Sequence, residues 1–289
     1  IRLTMQVSII SPVYNVAAYI CECIDSIVSQ TMTDWEVLFV DDHGTDNSIE
    51  IAKQHIAHLP KDIAGKFYFM ATPKNSGPGI ARNLGIQQAR GEYIAFVDSD
   101  DMMEPQMLDR LLLKAYGGLN LMHIGTPGVD LVYCNAKSFG DSGKPRFLQN
   151  PDIEKGKDYY LKHFKTYIWT YIYRRKFIID NGLEFPCERA SEDTNFLTKT
   201  LLVARTIRCV NEPLYLYRVR PQSLTTARNR HRYKERLSSV RKLMDEFEAM
   251  KANPRYADLH LDQYDRAMNL IWKNKGIAQA VIDYIKNIF

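Results

Sequence analysis

Between residues 6 and 115, short apolar runs alternate with amphipathic stretches four times, and this alternation limits the chain to very few folds. Gln6 to Ile10 reads as a strand, stopped by Ser11-Pro12. Val16, Tyr19, Ile20, Cys23, Ile24, Ile27 and Val28 fall on one helical face, with Asn15 placed to cap it. Trp35 to Val40 is a second strand, followed by a helix that Asp46 or Asn47 can cap and that carries Ile49, Ile51, Ala52 and Ile56. Phe67 to Ala71 is a third strand. The loop Asn75-Ser76-Gly77-Pro78-Gly79 then leads into a helix over Ile80 to Ala89. Tyr93 to Val97 is the fourth strand, and Met107 to Ala115 a helix with Leu108, Leu111 and Leu112 inward. The pattern predicts an α/β fold: a doubly wound, mainly parallel sheet flanked by helices and joined by right-handed crossovers.

Two of these strands end in acids. The second runs into Asp41-Asp42-His43-Gly44-Thr45-Asp46 and the fourth into Asp98-Ser99-Asp100-Asp101. Unpaired charge is too costly in a core, so the acids must sit just past the strand ends. Ligands of open α/β sheets bind in the crevice there. Two carboxylates in a D-x-D spacing repel unless a cation joins them, and hard oxygen ligands suit Mg²⁺ or Mn²⁺ shared with substrate phosphates. A plainer role is also available: Asp100 or Asp101 could cap a helix whose first turn holds Pro105. That accounts for one acid out of three. No G-x-G-x-x-G follows the first strand and no G-x-x-x-x-G-K-[ST] occurs, so neither dinucleotide-binding nor P-loop chemistry is signalled.

The 289 residues are 45% hydrophobic and 25% charged, enough for one large or two modest globular domains. No stretch has the apolar length of a membrane span, and no signal-peptide pattern opens the chain. Cys21, Cys23, Cys134, Cys187 and Cys209 are odd in number and form no C-x-x-C pair, which argues for a reducing, cytoplasmic setting and against a zinc site. Net charge is +4, and residues 228–251, with eight bases and four acids, carry all of it. A basic excess confined to one helix is not the footprint of a nucleic-acid groove.

After Tyr116 the periodicity loosens. Gly117-Gly118 and Gly125-Thr126-Pro127-Gly128 are loop signals, and Asp130 to Cys134 is a strand. Residues 138–158 are expected to form a long mobile loop. Tyr167 to Tyr173 is dense in aromatics and reads as a core element or a sugar platform. Asp193 either caps the helix carrying Phe196, Leu197, Leu201 and Leu202 or acts as a general base beside a cleft. Thr206 to Val210 and Pro213 to Arg218 read as two strands. Residues 228–250 form an amphipathic helix whose basic face is either solvated or in contact with an acidic membrane surface or partner. Leu261 to Ile288 is a last helical stretch, broken near Lys275-Gly276.

In this order, Val7 to Asn15, Ser29-Gln30-Thr31, Trp35-Glu36-Val37 through Ser48, Asn75 to Asn83, Gly91 to Asp101, and Ser191-Glu192-Asp193 resemble the family 2 glycosyltransferases of GT-A fold. The resemblance covers about residues 5–225. It implies a GT-A domain over 1–225, with a nucleotide-binding half (1–115) and an acceptor-binding half (116–225), followed by a helical extension over 226–289. It also implies inverting, metal-dependent transfer from a nucleotide diphosphate sugar to a glycan or lipid-linked acceptor. By position, Pro12, Val13, Tyr14, Asn15, Asp41, Asp42, Arg82, Asp98 and Ser99 would meet the nucleotide. Asp98 and Asp100 would meet Mn²⁺ or Mg²⁺, and Asp193 would be the catalytic base. His43 departs from the glycine more usual after the acids, in the loop beside the nucleotide. The absence of Q-x-x-R-W and of membrane spans favours single additions over processive synthesis. The implied setting is the cytoplasm, at or near the inner face of the plasma membrane through 228–251, in surface-glycan synthesis.

Two other readings compete. A nucleotidyltransferase also uses acids on a doubly wound sheet, but it usually carries a glycine-rich basic loop where this chain has Ser11-Pro12-Val13-Tyr14-Asn15. A non-catalytic nucleotide-sugar-binding subunit would share the pocket but would not need Asp98, Asp100 and Asp193 together. A glycoside hydrolase, the other user of paired carboxylates, needs no nucleotide pocket.

Overall fold

The computed structural model describes residues 5–117, 128–140, 144–220 and 230–273. The first half contains β1 (Val7–Val13), α1 (Ile20–Val28), β2 (Trp35–Asp41), α2 (Ser48–Ala57), α3 (Lys61–Ala64), β3 (Phe67–Ala71), α4 (Pro78–Gln88), β4 (Tyr93–Phe96), β5 (Met102–Met103) and α5 (Met107–Ala115). The second half contains β6 (Leu131–Phe139), β7 (Phe147–Leu148), α6 (Lys157–His163), β8 (Tyr171–Arg174), α7 (Arg175–Asp180), α8 (Glu192–Val203), β9 (Ile207–Arg218), α9 (Arg230–Ala252) and α10 (Asp265–Ile271).

The strands form a nine-stranded sheet in the order β3-β2-β1-β4-β8-β6-β9-β5, with β7 on β6. The first four are parallel, as the alternation predicts. Beyond β4 the sheet is mixed: β8 runs antiparallel to both β4 and β6, and β6 and β9 are parallel to each other. The α/β class and the flanking helices hold, with a helical region after the sheet.

Several elements differ from the sequence expectation. Strand β1 does not stop at Ser11-Pro12 but continues to Val13. Pairing with β4 ends at Ile10, so Pro12 is required to donate nothing on that side. Asn15 caps no helix; α1 starts at Ile20, and Asn15 adopts φ 52° and accepts a hydrogen bond from Thr45 N. Asp101 precedes the short strand β5, not a helix. The expected long loop at 138–158 holds instead the end of β6, strand β7 paired to it, a 3₁₀ turn at Ile153–Lys155 and the start of α6. The two strands expected after Thr206 are one, β9, which bulges where the register with β6 shifts around Asn135. The last predicted helix begins as a 3₁₀ turn, Leu261–Tyr264, followed by α10, and its part beyond 273 lies outside the described residues. The Tyr167 to Tyr173 run is core: Ile168, Trp169, Tyr171 and Tyr173 are buried.

The parallel half is pinned at its lower edge by a buried carboxylate. Glu36 is fully buried on β2 and accepts from Ser8 Oγ (2.6 Å), Arg90 N (2.8 Å) and Arg90 Nε (2.7 Å). Ser8 Oγ in turn accepts from Gly91 N at 2.8 Å. This clasp closes only over a glycine, because a Cβ at Gly91 would lie 2.4 Å from Ser8 N. It fixes where β4 enters the sheet, and therefore where Asp98 leaves it. Breaking a buried, fully bonded carboxylate cluster costs about 3–5 kcal/mol. Glu36→Ala is expected to lower Tm by roughly 6–12 °C in a thermal melt. Gly91→Ala is expected to fall in the same direction, and a melt unchanged in both variants would show that the clasp carries no stability.

Candidate active site

Because β1, β2 and β4 are parallel, their carboxyl ends lie toward the same edge of the sheet. Val13 pairs with Asp41 at the last register position, and Ser99 Oγ donates to Pro12 O at 2.6 Å, tying the turn after β4 to β1. Pro12, Val13, Tyr14, Asn15, Asp41, Asp98 and Ser99 are thus brought to one sheet edge. Of these, Tyr14 is the exposed one, at 39%. A cavity of about 130 Å³ opens there, lined by Val13, Asn15, Asp41, Gly44, Asp46 and Ser48. Asp46 shapes it by accepting from Ala17 N and, at the start of α2, from Ser48 N.

Successive residues of an extended chain point to opposite sides, and Asp41 and Asp42 diverge accordingly. Asp41 faces the cavity, and among the described residues its carboxylate accepts from His43 N. Asp42 is buried, and its oxygens accept from Ser76 N (2.7 Å), Gly77 N (2.8 Å) and Thr72 Oγ1 (3.0 Å). Its carboxylate therefore organises the loop before α4 rather than facing the cavity. His43 also holds this loop; it sits at φ 56° with its ring on Thr72 O.

Each acid of the turn after β4 has its own partner. Asp98 Oδ1 accepts from Arg82 at 2.8 Å. Asp100 Oδ2 meets Arg220 Nε at 2.7 Å. Asp101 is buried and accepts from Tyr215 Oη (2.8 Å) and Arg218 N (2.6 Å), while Tyr215 Oη also accepts from Asp98 N. Burial pushes the Asp100 carboxyl above its ordinary range, and the charge of Asp98 adds to the rise. Tyr215 stacks on Trp169 at 4.3 Å between ring centroids, so the acid turn rests on the aromatic layer of the second half. Arg218 bonds Asp100 O and Glu22 and lies against the rings of Tyr19 and Phe139.

The second acidic pair arrives from α8. Asp193 caps nothing: Ser191 occupies the cap position in the left-handed region without a side-chain bond. Asp193 Oδ1 instead accepts from Arg82 Nη1 at 3.0 Å, and Glu192 lies 3.8 Å from the same nitrogen. Arg82 is 4% exposed, lies over the Phe185 ring, and so joins Asp98 to Asp193 across the cleft. The neighbouring Asn83 fixes the opposite wall, exchanging two hydrogen bonds with the backbone of Phe185. Burial pushes the Asp193 carboxyl up to about 6, with Arg82 opposing the rise and Asp98 adding to it. Glu192 rises further, to about 8, through burial and the adjacent Asp193. Asp193 keeps 30% of its side chain exposed, so a substrate hydroxyl can reach it.

Sequence reasoning brought together Asp98, Asp100 and Asp193 but missed Asp101, Glu192, Tyr215, Arg218 and Arg220 as members of the site. A signal was present: the end of β9 and the two residues after it read Tyr215-Leu216-Tyr217-Arg218-Val219-Arg220, and these two cations can meet three acids.

Among the described residues no three His, Cys, Asp or Glu side chains form a complete metal site. The acid turn fits half of one. The second oxygen of Asp98 accepts nothing from the described residues, and Asp100 carries a charge that its neighbour disfavours. Mg²⁺ and Mn²⁺ are commonly held by one or two carboxylates together with substrate phosphates. Asp98 and Asp100 match that donor set.

A family model described as "Glycosyl transferase family 2" matches residues 8–182. The putative glycosyltransferase EpsH of Bacillus subtilis (strain 168) is 33% identical over 248 residues, 81% of this chain and 65% of that protein. The poly(ribitol-phosphate) beta-N-acetylglucosaminyltransferase TarS of Staphylococcus aureus (strain Mu50 / ATCC 700699) is 29% identical over 216 residues, 74% of this chain and 35% of TarS. The chain thus spans less than two thirds of either relative. The crystal structure of S. aureus TarS 1-349 in complex with UDP-GlcNAc superposes with a TM-score of 0.68 at 23% identity, over 94% of this chain and 74% of that one, and shares its fold. With the match over residues 8–182 and a curved mixed sheet of the same kind, this chain belongs to glycosyl transferase family 2.

Proposed function

We propose that this chain transfers a hexosyl or N-acetylhexosaminyl group from a UDP-sugar to a hydroxyl of a glycan or lipid-linked acceptor, with inversion and one addition at a time. The observation that carries the reading is Arg82, which holds Asp98 and Asp193 within one guanidinium span. An acid turn suited to a diphosphate and a carboxylate suited to an acceptor hydroxyl thereby face one cleft. The family match and the UDP-GlcNAc bound to TarS support the donor class. The acceptors named for TarS, polymers of ribitol phosphate, support a glycan or polyol acceptor.

In this mechanism Pro12, Val13, Tyr14, Asn15 and Asp41 hold the base and ribose, and Asp42 keeps the 72–77 loop in place beneath them. Asp98 and Ser99 orient the ribose and diphosphate. Mn²⁺ or Mg²⁺ held by Asp98 and Asp100 would supply positive charge for the leaving diphosphate. Asp193 takes the proton of the acceptor hydroxyl as that oxygen attacks the anomeric carbon in line, so no covalent sugar–enzyme bond forms. Glu192, uncharged near neutral pH, leaves Asp193 as the ionised member of its pair.

Donor chemistry can be read without an acceptor, because a transferase can pass its sugar slowly to water. With Mn²⁺ and a panel of nucleotide sugars, one UDP-sugar is expected to release UDP, and EDTA or Asp100→Ala to abolish it. Asp193→Asn is expected to cut turnover by roughly 10²-fold or more while UDP binding persists. Donor binding without turnover under every condition would favour a non-catalytic binding subunit instead.

The acid–base arrangement sets a pH profile. A base works when deprotonated, so kcat/KM is expected to fall about tenfold per pH unit below about 6, where Asp193 gains its proton. Arg82 holds that carboxyl down, so Arg82→Gln is expected to move the acid limb upward by roughly one unit. An unmoved limb in Arg82→Gln would assign the titration to another group.

A further inference from the structure

Outside the strand-end site, a concavity lies between α9 and the segment leading into α8. It encloses about 530 Å³ and is lined by Glu188, Lys234, Ser238, Arg241, Lys242 and Asp245. Glu188 is tied to Ser238 Oγ at 2.9 Å. The three cations have no hydrogen bond or ion pair among the described residues and face solvent. Beside the cleft, Ser239 of α9 donates to Ser191 O, two residues before Asp193.

We propose that this cleft binds the phosphate groups of the acceptor chain, so that the acceptor is a phosphate-bearing polymer and not a neutral glycan. The proposal rests on the transferase reading above and names its acceptor class. Lys234 and Arg241 are seven residues apart on α9, roughly 10 Å along the axis, which suits an elongated anion with more than one phosphate. Leu237, half-buried between them, offers apolar surface to a polyol or sugar stem. A membrane surface fits less well. A helix lying in a bilayer interface needs a free apolar face, but Val240, Leu243 and Phe247 are buried inside the protein. Glu188 and Asp245, which line the same cleft, would also oppose a flat anionic layer, whereas a single chain can follow the cations between them.

The test uses the full chain and three probes: a labelled ribitol-phosphate oligomer, a neutral dextran oligomer, and phosphatidylcholine vesicles containing phosphatidylglycerol. UDP binding and a thermal melt are measured alongside. Combined Lys234→Glu, Arg241→Glu and Lys242→Glu is expected to weaken oligomer binding tenfold or more, with UDP affinity and Tm kept. Lys176→Glu, an exposed cation on α7, is expected to stay within about twofold of the parent. Should the triple variant fold poorly, Arg241→Gln alone is expected to lose about threefold. The idea is overturned if the reversed cleft binds the oligomer like the parent or if Lys176→Glu loses as much. It is also overturned if the parent prefers vesicles or the neutral oligomer. Absence of UDP binding in the parent would strike the donor reading and leave the oligomer result to stand separately.

Discussion

A guanidinium buried among carboxylates needs every partner it has, because desolvating one charge costs several kcal/mol unless opposite charges repay it. Arg82 is in that position. It is 4% exposed, touches Asp98 and Asp193, and has Glu192 at 3.8 Å. The three acids come from two distant parts of the chain, the turn after β4 and the start of α8. Neither part can shift without stranding charge on the other. The same ion group that makes the cleft rigid also sets its chemistry. Burial makes Glu192 and Asp193 hold their protons more tightly, and Arg82 limits how far the Asp193 carboxyl rises.

Around this group the two halves of the sheet have different jobs. The parallel half delivers backbone ends: β1, β2 and β4 all end toward the same edge of the sheet, and the Glu36–Ser8–Arg90 clasp at the opposite edge fixes how far each one reaches. The mixed half delivers support. Phe185 and Phe196 stack at 3.9 Å beneath Arg82, and Trp169 stacks on Tyr215, whose hydroxyl joins Asp101 to the Asp98 amide. An aromatic run that could have been a sugar platform is instead largely buried and braces the acid turn from below.

Much of the first half was legible because local rules and the global fold agree there. Periodicity marked β3 and α5 at their observed bounds, and turn residues marked the loop before α4, where Gly77 adopts φ 91°. Reading failed where a local signal was overruled by a neighbour. Pro12 ordinarily ends a strand, yet β1 continues because its neighbour β4 has already finished. Asn15 and Asp193 are good caps by type, and tertiary partners claimed both side chains: Thr45 in one case and Arg82 in the other. The polar run at 138–158 looked like a loop, and pairing with β6 made part of it a strand.

The sequence by itself determined the α/β alternation, the two acidic strand ends and the presence of an acid at 193, because these depend on spacing, burial cost and residue type. Only the tertiary structure decided which acid does what. Asp41 and Asp42 are adjacent in sequence, but one faces the cavity and the other is consumed by the 72–77 loop. Asp98, Asp100 and Asp101 read as one cluster, but each meets a different partner: Arg82, Arg220, and Tyr215 with Arg218. Those partners lie up to 120 residues away in the chain. A carboxylate's charge, reach and pKa follow from what stands next to it in space, and one-dimensional spacing carries no record of that.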